Sequence, residues 1–199
     1  MKPYYEDDLV TLYHGDCREF FASLEDSSVD CVITDPPYTE RTHGQAKTNK
    51  GAGHGVKAID FKAFTNADLL NALRESGRVT RRWVVTSLDY AHAFEFDQNP
   101  PPGLRSLRVG IWVKSGVWTH PVVQNEGHPT VKPLPMVADW VRLFTNPGDT
   151  ILDPFVGSGT TLRAAKDEGR KAIGVELDER YCEVIAKRLS QDTLFGGVA

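Results

Sequence analysis

Short apolar runs alternate with amphipathic stretches along most of this chain. The apolar runs predict six strands, at residues 9–14, 30–34, 82–86, 107–114, 150–153 and 172–176. Two of these runs, 31–33 and 83–85, contain no charged residue and no break, which is typical of strands covered on both faces. Strands that alternate with helices predict an α/β fold built on a mostly parallel, doubly wound sheet.

Helix signals fall between the predicted strands. Thr65 and Asp68 form a capping-box pattern that opens one helix, and Gly77 is predicted to lie just past its end. Pro135 suits the first turn of a second helix, and Asp178 is a candidate N-cap for a third. Each helix has apolar residues at helical spacing: Leu69, Leu70 and Leu73; Val137, Trp140, Val141 and Phe144; and Tyr181, Val184, Ile185 and Leu189.

The length of 199 residues predicts a single domain, because a chain of this size buries roughly 70% of its unfolded surface without cross-links. Residues 39–57 depart from the pattern. They carry four glycines and the basic residues Arg41, Lys47, Lys50 and Lys57 against one acid. Such a segment builds no core, so we expect a flexible basic loop there, and a tail at residues 190–199.

Composition narrows the class of protein. The net charge of −4 gives no global attraction to nucleic acid, so a nucleic-acid partner would have to be held by local basic patches. The first residues lack the apolar segment of a signal peptide, which predicts a cytoplasmic protein. Three widely spaced cysteines fit a reducing compartment and small buried side chains, and they predict neither a disulfide framework nor a metal site.

The first chemical signal is Asp35-Pro36-Pro37-Tyr38, directly after the predicted strand 30–34. Ligands of α/β proteins bind at the carboxyl ends of the strands, where this carboxylate would lie. The prolines make the turn rigid, and Tyr38 offers an aromatic face beside two acceptors, an arrangement that suits a planar ring bearing an amine. Taken alone, the tetrapeptide is equally consistent with a turn that only ends a strand.

The second signal is a glycine loop that follows the strand 150–153 and opens a helix. Gly157 and Gly159 allow close approach of a ligand to the backbone, and a helix N-terminus offers free N–H groups. Leu162 occupies the third glycine position of a dinucleotide-binding motif, so that interpretation is weakened. The predicted loop comprises Asp153, Pro154, Phe155, Val156, Gly157, Ser158, Gly159, Thr160 and Thr161.

Two further carboxylates follow predicted strands. Glu176 comes about 20 residues after the glycine loop, the separation at which an acid accepts the ribose hydroxyls of a nucleoside cofactor. Asp16 follows the first strand and is as consistent with a helix cap as with a ligand contact.

These motifs resemble those of the DNA amino-methyltransferases. The resemblance rests on Asp35 to Tyr38, on the Phe-x-Gly-x-Gly-Thr-Thr loop and on the segment from His128 to Pro133, and it extends from Leu9 to about Leu189. Because the Asp-Pro-Pro-Tyr motif precedes the glycine loop, the chain resembles the permuted, β-type subgroup. The resemblance implies a Rossmann-like methyltransferase fold with permuted motif order, and methyl transfer from S-adenosylmethionine to N6 of a flipped adenine in DNA.

The resemblance also implies residue roles. Asp35 and the Pro36 carbonyl would accept from the target amine, with Pro37 in the same rigid turn and Tyr38 stacking on the base. In the cofactor site, Asp16 would accept from the adenine amine, Glu176 would bind the ribose beside Leu177, and Lys132 would anchor the carboxylate end. The methionine part would be wrapped by the loop with Asp153, Phe155, Gly157, Ser158, Gly159, Thr160 and Thr161, with Asp35 bordering the same site.

The sequence departs from the family in its target-recognition region. Only residues 115–127 separate the predicted strand 107–114 from the His-Pro-Thr segment, too few for an independent recognition domain. Specificity is therefore loose, or recognition depends on the basic loop 39–57 or on another chain. Related enzymes are often dimers, which suggests a homodimer. Residues 191–195 weakly resemble a peptide that docks on the sliding clamp, although ordinary packing of Leu194 and Phe195 is the better explanation.

Two alternatives remain. Cytosine N4 is the runner-up target, because the family tends to place serine at position 35 in cytosine enzymes. A catalytically silent DNA-binding subunit of a modification complex is the alternative from another class, and the intact motifs argue against it.

Overall fold

The computed structural model describes residues 1–37, 39, 64–107, 109 and 131–191. Within them, six strands form one sheet: β1 (Tyr5–Glu6), β2 (Val10–His14), β3 (Val29–Thr34), β4 (Thr80–Thr86), β5 (Thr150–Asp153) and β6 (Lys171–Glu176). The strand order is β1-β2-β6-β5-β3-β4. β1 is antiparallel to β2, and every other pair is parallel. The prediction of a mostly parallel α/β sheet is confirmed.

Helices cover both faces of this sheet. The described helices are α1 (Cys17–Ser23), α2 (Asn66–Val79), α3 (Tyr90–Gln98), α4 (Leu134–Phe144), α5 (Thr160–Asp167) and α6 (Glu179–Ser190). Val137, Leu162 and Ile185 of α4, α5 and α6 pack in one core cluster, whereas Phe20 and Phe21 of α1 belong to a second cluster. No described helix is long and apolar enough to cross a membrane.

The connections create a crevice between two central strands. The chain passes from β5 through α5 to β6 on one side, whereas it passes from β3 towards β4 on the other. Where neighbouring strands send their connections in opposite directions, the carboxyl ends of the strands open into a ligand-binding crevice. β5 and β3 are such neighbours, so the loops after Asp153 and Thr34 meet at this point.

Local sequence signals account for several element boundaries. Thr65 and Asp68 make the reciprocal bonds of a capping box at the start of α2, and the Asp178 side chain accepts from Arg180 N at the start of α6. Pro135 lies in the first turn of α4, where its missing N–H costs no helical hydrogen bond. These three predictions are confirmed.

The prediction for Gly77 was wrong. α2 continues through it to Val79, and the Leu104 side chain occupies the space beside this glycine. A Cβ at position 77 would lie 2.7 Å from Leu104 Cδ2, so the glycine serves close packing and does not end the helix.

The expectation for strand β4 also needs correction. Residues 31–33 are buried as predicted, but Trp83 is 37% exposed and Val84 and Val85 are only half-buried. Among the described residues β4 is one of the two edge strands, so it is not covered as β3 is. Leu107 and Val109 lie outside regular structure, and the rest of the predicted strand 107–114 falls outside the described residues.

The cysteines behave as small apolar side chains. Cys31 and Cys182 are fully buried and Cys17 is half-buried, and all three are free thiols. Burial raises the pKa of each thiol to about 12, so none is a reactive thiolate near neutral pH.

Candidate active site at the carboxyl ends of the strands

The loops at the carboxyl ends of β2, β3, β5 and β6 surround a cavity of about 1580 Å³. This volume exceeds the several hundred cubic ångströms that one small ligand fills, so the cavity has room for two ligands side by side. Most residues that the sequence singled out line it: Asp16, Asp35, Pro36, Pro37, Lys132, Asp153, Phe155, Gly157, Ser158, Thr160, Thr161, Glu176 and Leu177.

Asp35 follows β3 directly and presents two different carboxylate oxygens. Oδ2 forms an ion pair with Lys132 Nζ. Oδ1 is buried and has no hydrogen-bond partner within the described part of the chain. A buried acceptor without a donor is uncommon in native proteins, and a ligand donor is one way to satisfy it.

Asp153, at the end of β5, is held by the protein itself. Its carboxylate accepts from Thr34 Oγ1 at 2.8 Å, from Phe155 N at 3.1 Å and from the Thr161 hydroxyl. Burial, together with the negative charge of Asp35, raises the pKa of Asp153 to about 6. Asp153 therefore fixes the glycine loop to the end of β3, which places the loop beside Asp35.

The glycine loop contains two residues in the left-handed backbone region. Gly157 has φ of 55° and Gly159, the N-cap of α5, has φ of 79°. A Cβ at Gly159 would lie 3.1 Å from Ile185 Cγ1, which adds a packing reason for glycine there. Ser158 Oγ and Thr160 Oγ1 are 3.0 Å apart, so their hydroxyls bond to each other at the start of the helix.

Glu176 ends β6 and faces this loop. Its Oε2 accepts from Gly157 N at 2.8 Å and its Oε1 accepts from Asp178 N at 2.9 Å. Burial raises the pKa of Glu176. A carboxylate has about four acceptor positions, so both oxygens retain lone pairs for the hydroxyl groups of a ligand. Leu177 follows with its side chain exposed on the cavity.

Asp16 serves as a helix cap, one of the two interpretations that the sequence left open. It is the N-cap of α1, and its Oδ1 accepts from Arg18 N at 2.8 Å. The Arg18 guanidinium also binds both carboxylate oxygens and lowers the pKa of Asp16. A ligand donor at Asp16 would have to share the carboxylate with Arg18.

Lys132 lies in the cavity wall, two residues before α4 begins. Its side chain is only 11% exposed, and its ammonium group is paired with Asp35. No local sequence pattern indicates this pairing, because 97 positions separate the two residues.

Three other residues of the site carried no recognisable sequence signal. Thr34 holds Asp153, and His14 bonds through Nε2 to the Leu177 carbonyl at 3.1 Å. Phe64 packs edge-on against the Phe155 ring, with 5.4 Å between the ring centres. Each is an ordinary strand or loop residue in the sequence, and only its neighbours in space give it a place in the site.

Several predicted site residues lie outside the described residues. They are Tyr38, the basic residues Arg41, Lys47, Lys50 and Lys57, and His128, Pro129 and Thr130. The shortened region 115–127 and most of the tail, 192–199, also lie there.

The chain is similar in sequence to type II methyltransferases over nearly its whole length. It is 26% identical to the type II methyltransferase M2.DpnII of Streptococcus pneumoniae, with 96% of this chain and 93% of that protein covered. It is also 26% identical to the type II methyltransferase M.HinfI of Haemophilus influenzae, with 96% and 71% covered. The first alignment extends over 253 residues, so that relative contains insertions that this chain of 199 lacks.

Solved structures of methyltransferases share the fold. The crystal structure of M1.HpyAVI matches with a TM-score of 0.63 and 23% identity, covering 92% of this chain and all of that one. The PvuII DNA methyltransferase, which is cytosine-N4-specific, matches with a TM-score of 0.62 and 18% identity, covering 97% and 90%. At these identities the likeness establishes the Rossmann-like methyltransferase fold.

A family model described as DNA methylase, for enzymes of the N6 and N4 type, matches residues 105–188. This segment includes Lys132, the whole glycine loop and Glu176, while the relatives above align across the Asp-Pro-Pro motif as well. The strand order, the crevice between β5 and β3 and these matches agree, and the chain is similar in sequence and in fold to the adenine-N6 and cytosine-N4 DNA methyltransferases.

Proposed function

We propose that this protein transfers the methyl group of S-adenosylmethionine to the exocyclic N6 of an adenine in DNA. The observation that carries the proposal is the Oδ1 atom of Asp35, a buried acceptor without a partner among the described residues. It lies in the same cavity as Glu176 and the glycine loop. One cavity thus combines an acceptor for an amine with a site suited to a nucleoside cofactor.

The residues present fit S-adenosylmethionine. Gly157, Ser158, Thr160 and Thr161 line the cavity where α5 begins, and the N–H groups at a helix N-terminus suit the carboxylate of the methionine part. Glu176 retains acceptor positions for the ribose hydroxyls, with Leu177 beside it, and Asp16 is proposed to accept from the adenine amine. The other residues proposed to border the cofactor are Asp153, Phe155, Ser158, Thr160, Thr161 and Asp35.

The bound cofactor supplies an electrophilic methyl group on a sulfonium. The lone pair of an adenine amine is delocalised into the ring, so the protein has to direct that lone pair at the methyl carbon. Asp35 Oδ1 and the Pro36 carbonyl accept hydrogen bonds from the two N–H groups of the amine and so orient its nitrogen. The amine would displace the sulfur from the methyl carbon, and Asp35, which holds one of its N–H groups, would take up the proton that the methylated nitrogen releases. Most of the rate enhancement comes from this alignment.

An amine inside a stacked duplex is out of reach, so the proposal requires the base to be flipped out. Tyr38 would stack on the extruded base, a contact worth roughly 1–3 kcal/mol, comparable to the cost of unstacking. Arg41, Lys47, Lys50 and Lys57 would bind the flanking phosphates. We place the enzyme in the cytoplasm of a bacterial, archaeal or phage-infected cell, in DNA modification of the restriction-modification type. Single-domain organisation, a homodimer and a sliding-clamp contact through the tail remain predictions from the sequence.

The direct test is incubation with labelled S-adenosylmethionine and unmethylated DNA, followed by digestion to nucleosides. Label in N6-methyldeoxyadenosine is the expected result, and label in N4-methyldeoxycytidine would replace adenine with the runner-up target. Absence of transfer by a folded protein that binds DNA would favour the silent subunit.

The matched control for this assay is Asp35→Ala. We expect it to lose nearly all transfer while its Kd for S-adenosylmethionine, measured by calorimetry, stays within a few-fold of wild type. Loss of cofactor binding with normal turnover per bound complex would remove Asp35 from the target site.

A further inference from the structure

The contact between Lys132 and Asp35 joins two segments that are far apart in the chain. Lys132 Nζ donates to Asp35 Oδ2, and 97 positions separate the residues. The side chains of Lys132 and Asp35 are 11% and 25% exposed, so water screens the pair only weakly. The bond is charge-assisted and therefore among the stronger ones in proteins.

This contact gives the two oxygens of the Asp35 carboxylate different roles. A carboxylate with one oxygen fixed cannot turn freely about its Cβ–Cγ bond, so the other oxygen is fixed as well. The fixed partner atom is Oδ2, and the other atom is Oδ1, which is buried and unpartnered within the described residues. The ion pair thus leaves one defined acceptor for a ligand.

Lys132 is well placed to hold that geometry. Pro133 follows it with φ of −58° and is the N-cap of α4. Met136, Val137 and Val141 of α4 are buried to 2% exposure or less, so the helix is anchored in the core. A side chain supported by a rigid element holds a catalytic group more accurately than one on a free loop.

The other role considered for Lys132, a direct bond to the carboxylate of the cofactor, conflicts with this pairing. An ammonium group that moved to the cofactor would leave Asp35 as an unpaired and largely buried charge, which is costly. We propose that Lys132 is a positioning residue that holds the Asp35 carboxylate so that Oδ1 accepts from the target amine. This inference rests on the proposed function and adds to it a residue that acts through Asp35.

The experiment compares Lys132→Met, which keeps the length of the side chain without its charge, with Lys132→Arg. Lys187→Met is the matched control, since Lys187 is 73% exposed and pairs with Glu183 away from the cavity. We expect Lys132→Met to lower kcat about 100-fold, the size of effect that a displacement of about 1 Å produces. Its Kd for S-adenosylmethionine should stay within twofold of wild type, and Lys132→Arg should recover part of kcat.

A double-mutant cycle shows whether Lys132 acts through Asp35. In an Asp35→Asn background, single-turnover rates should fall little further when Lys132→Met is added, because the group to be positioned is already changed. An equal loss in both backgrounds would overturn the proposal. So would a weaker Kd for the cofactor with unchanged kcat, which would assign Lys132 to the cofactor.

A second cycle, on the free energy of unfolding in urea, needs no substrate. Lys132→Met and Asp35→Asn should be non-additive, and additivity would overturn the proposed contact. If the wild-type protein transferred no methyl group to DNA, the proposed function would fail, while this cycle would still decide whether Lys132 holds Asp35.

Discussion

Thr34 and Asp153 tie together the carboxyl ends of two neighbouring parallel strands. Thr34 Oγ1 donates to Asp153 Oδ1 at 2.8 Å across 119 positions of sequence. Thr34 directly precedes Asp35, and Asp153 opens the glycine loop. Together with the pairing of β3 and β5, this hydrogen bond holds the residue proposed to bind the target amine beside the loop proposed to bind the cofactor.

The buried carboxyl of Asp153 predicts a pH dependence of stability. Burial raises its pKa from 3.8 to about 6 in the folded state, so the folded protein holds this proton more tightly than the unfolded chain. The contribution of this protonated carboxyl to the free energy of unfolding is fully present below pH 3.8 and is lost as the pH rises through about 6. The loss amounts to at most about 3 kcal/mol.

We expect Asp153→Asn to remove this contribution while keeping an acceptor for Thr34. Urea unfolding at pH 4.5 and 7.5 measures this contribution. The difference in the free energy of unfolding between the two pH values should change in Asp153→Asn. Asp139→Asn is the control, since Asp139 is 40% exposed on α4 and should leave the difference as in wild type. If the free energy of unfolding differed between the two pH values by the same amount in Asp153→Asn and in wild type, the pH dependence could not be assigned to Asp153.

Gly157→Val is predicted to weaken binding of S-adenosylmethionine. A valine side chain would enter the cavity, and its left-handed backbone (φ of 55°) would add strain of about 1–2 kcal/mol. Gly148→Val is a matched control, because Gly148 is also left-handed and has open space around it. Calorimetry should show a large loss of affinity only for Gly157→Val. Equal affinities in the two folded variants would remove the loop from the cofactor site.

Asp16→Ser separates the two roles of Asp16. Serine is as good an N-cap as aspartate, so stability should change by less than about 1 kcal/mol. The charge that would accept from the cofactor's adenine amine is lost, and we expect the Kd for S-adenosylmethionine to rise. Asp16→Ala removes the cap and serves as the comparison. If Asp16→Ser leaves the Kd unchanged and Asp16→Ala lowers stability alone, Asp16 is a helix cap and does not bind the cofactor.

The basic loop gives a prediction that rests on the sequence. Neutralising Arg41, Lys47, Lys50 and Lys57 together should flatten the dependence of DNA affinity on salt by up to ~4 in log–log slope, at roughly 0.9 per phosphate contact. The KM for DNA should rise and the Kd for cofactor should stay constant. An unchanged slope would point to a partner chain as the DNA-binding surface.

The sequence by itself determined the elements whose signals are local. Thr65 with Asp68 and the cap Asp178 were predictable because their partners lie within three residues. The buried strand around Val32 was predictable because every position in it must avoid water. The site's location followed from Asp35 and Glu176, since acids that come directly after parallel strands meet at one edge of the sheet.

The tertiary structure decided what depends on neighbours distant in sequence. β1 has two residues, too few for a pattern, and forms only because β2 is there to pair with it. Gly77 lies inside a helix, and Leu104, which is 27 positions away, fills the space beside it. The pairing of Lys132 with Asp35 spans 97 positions, and the bond from Thr34 to Asp153 spans 119. No local pattern encodes such contacts, because packing in three dimensions brings these atoms together.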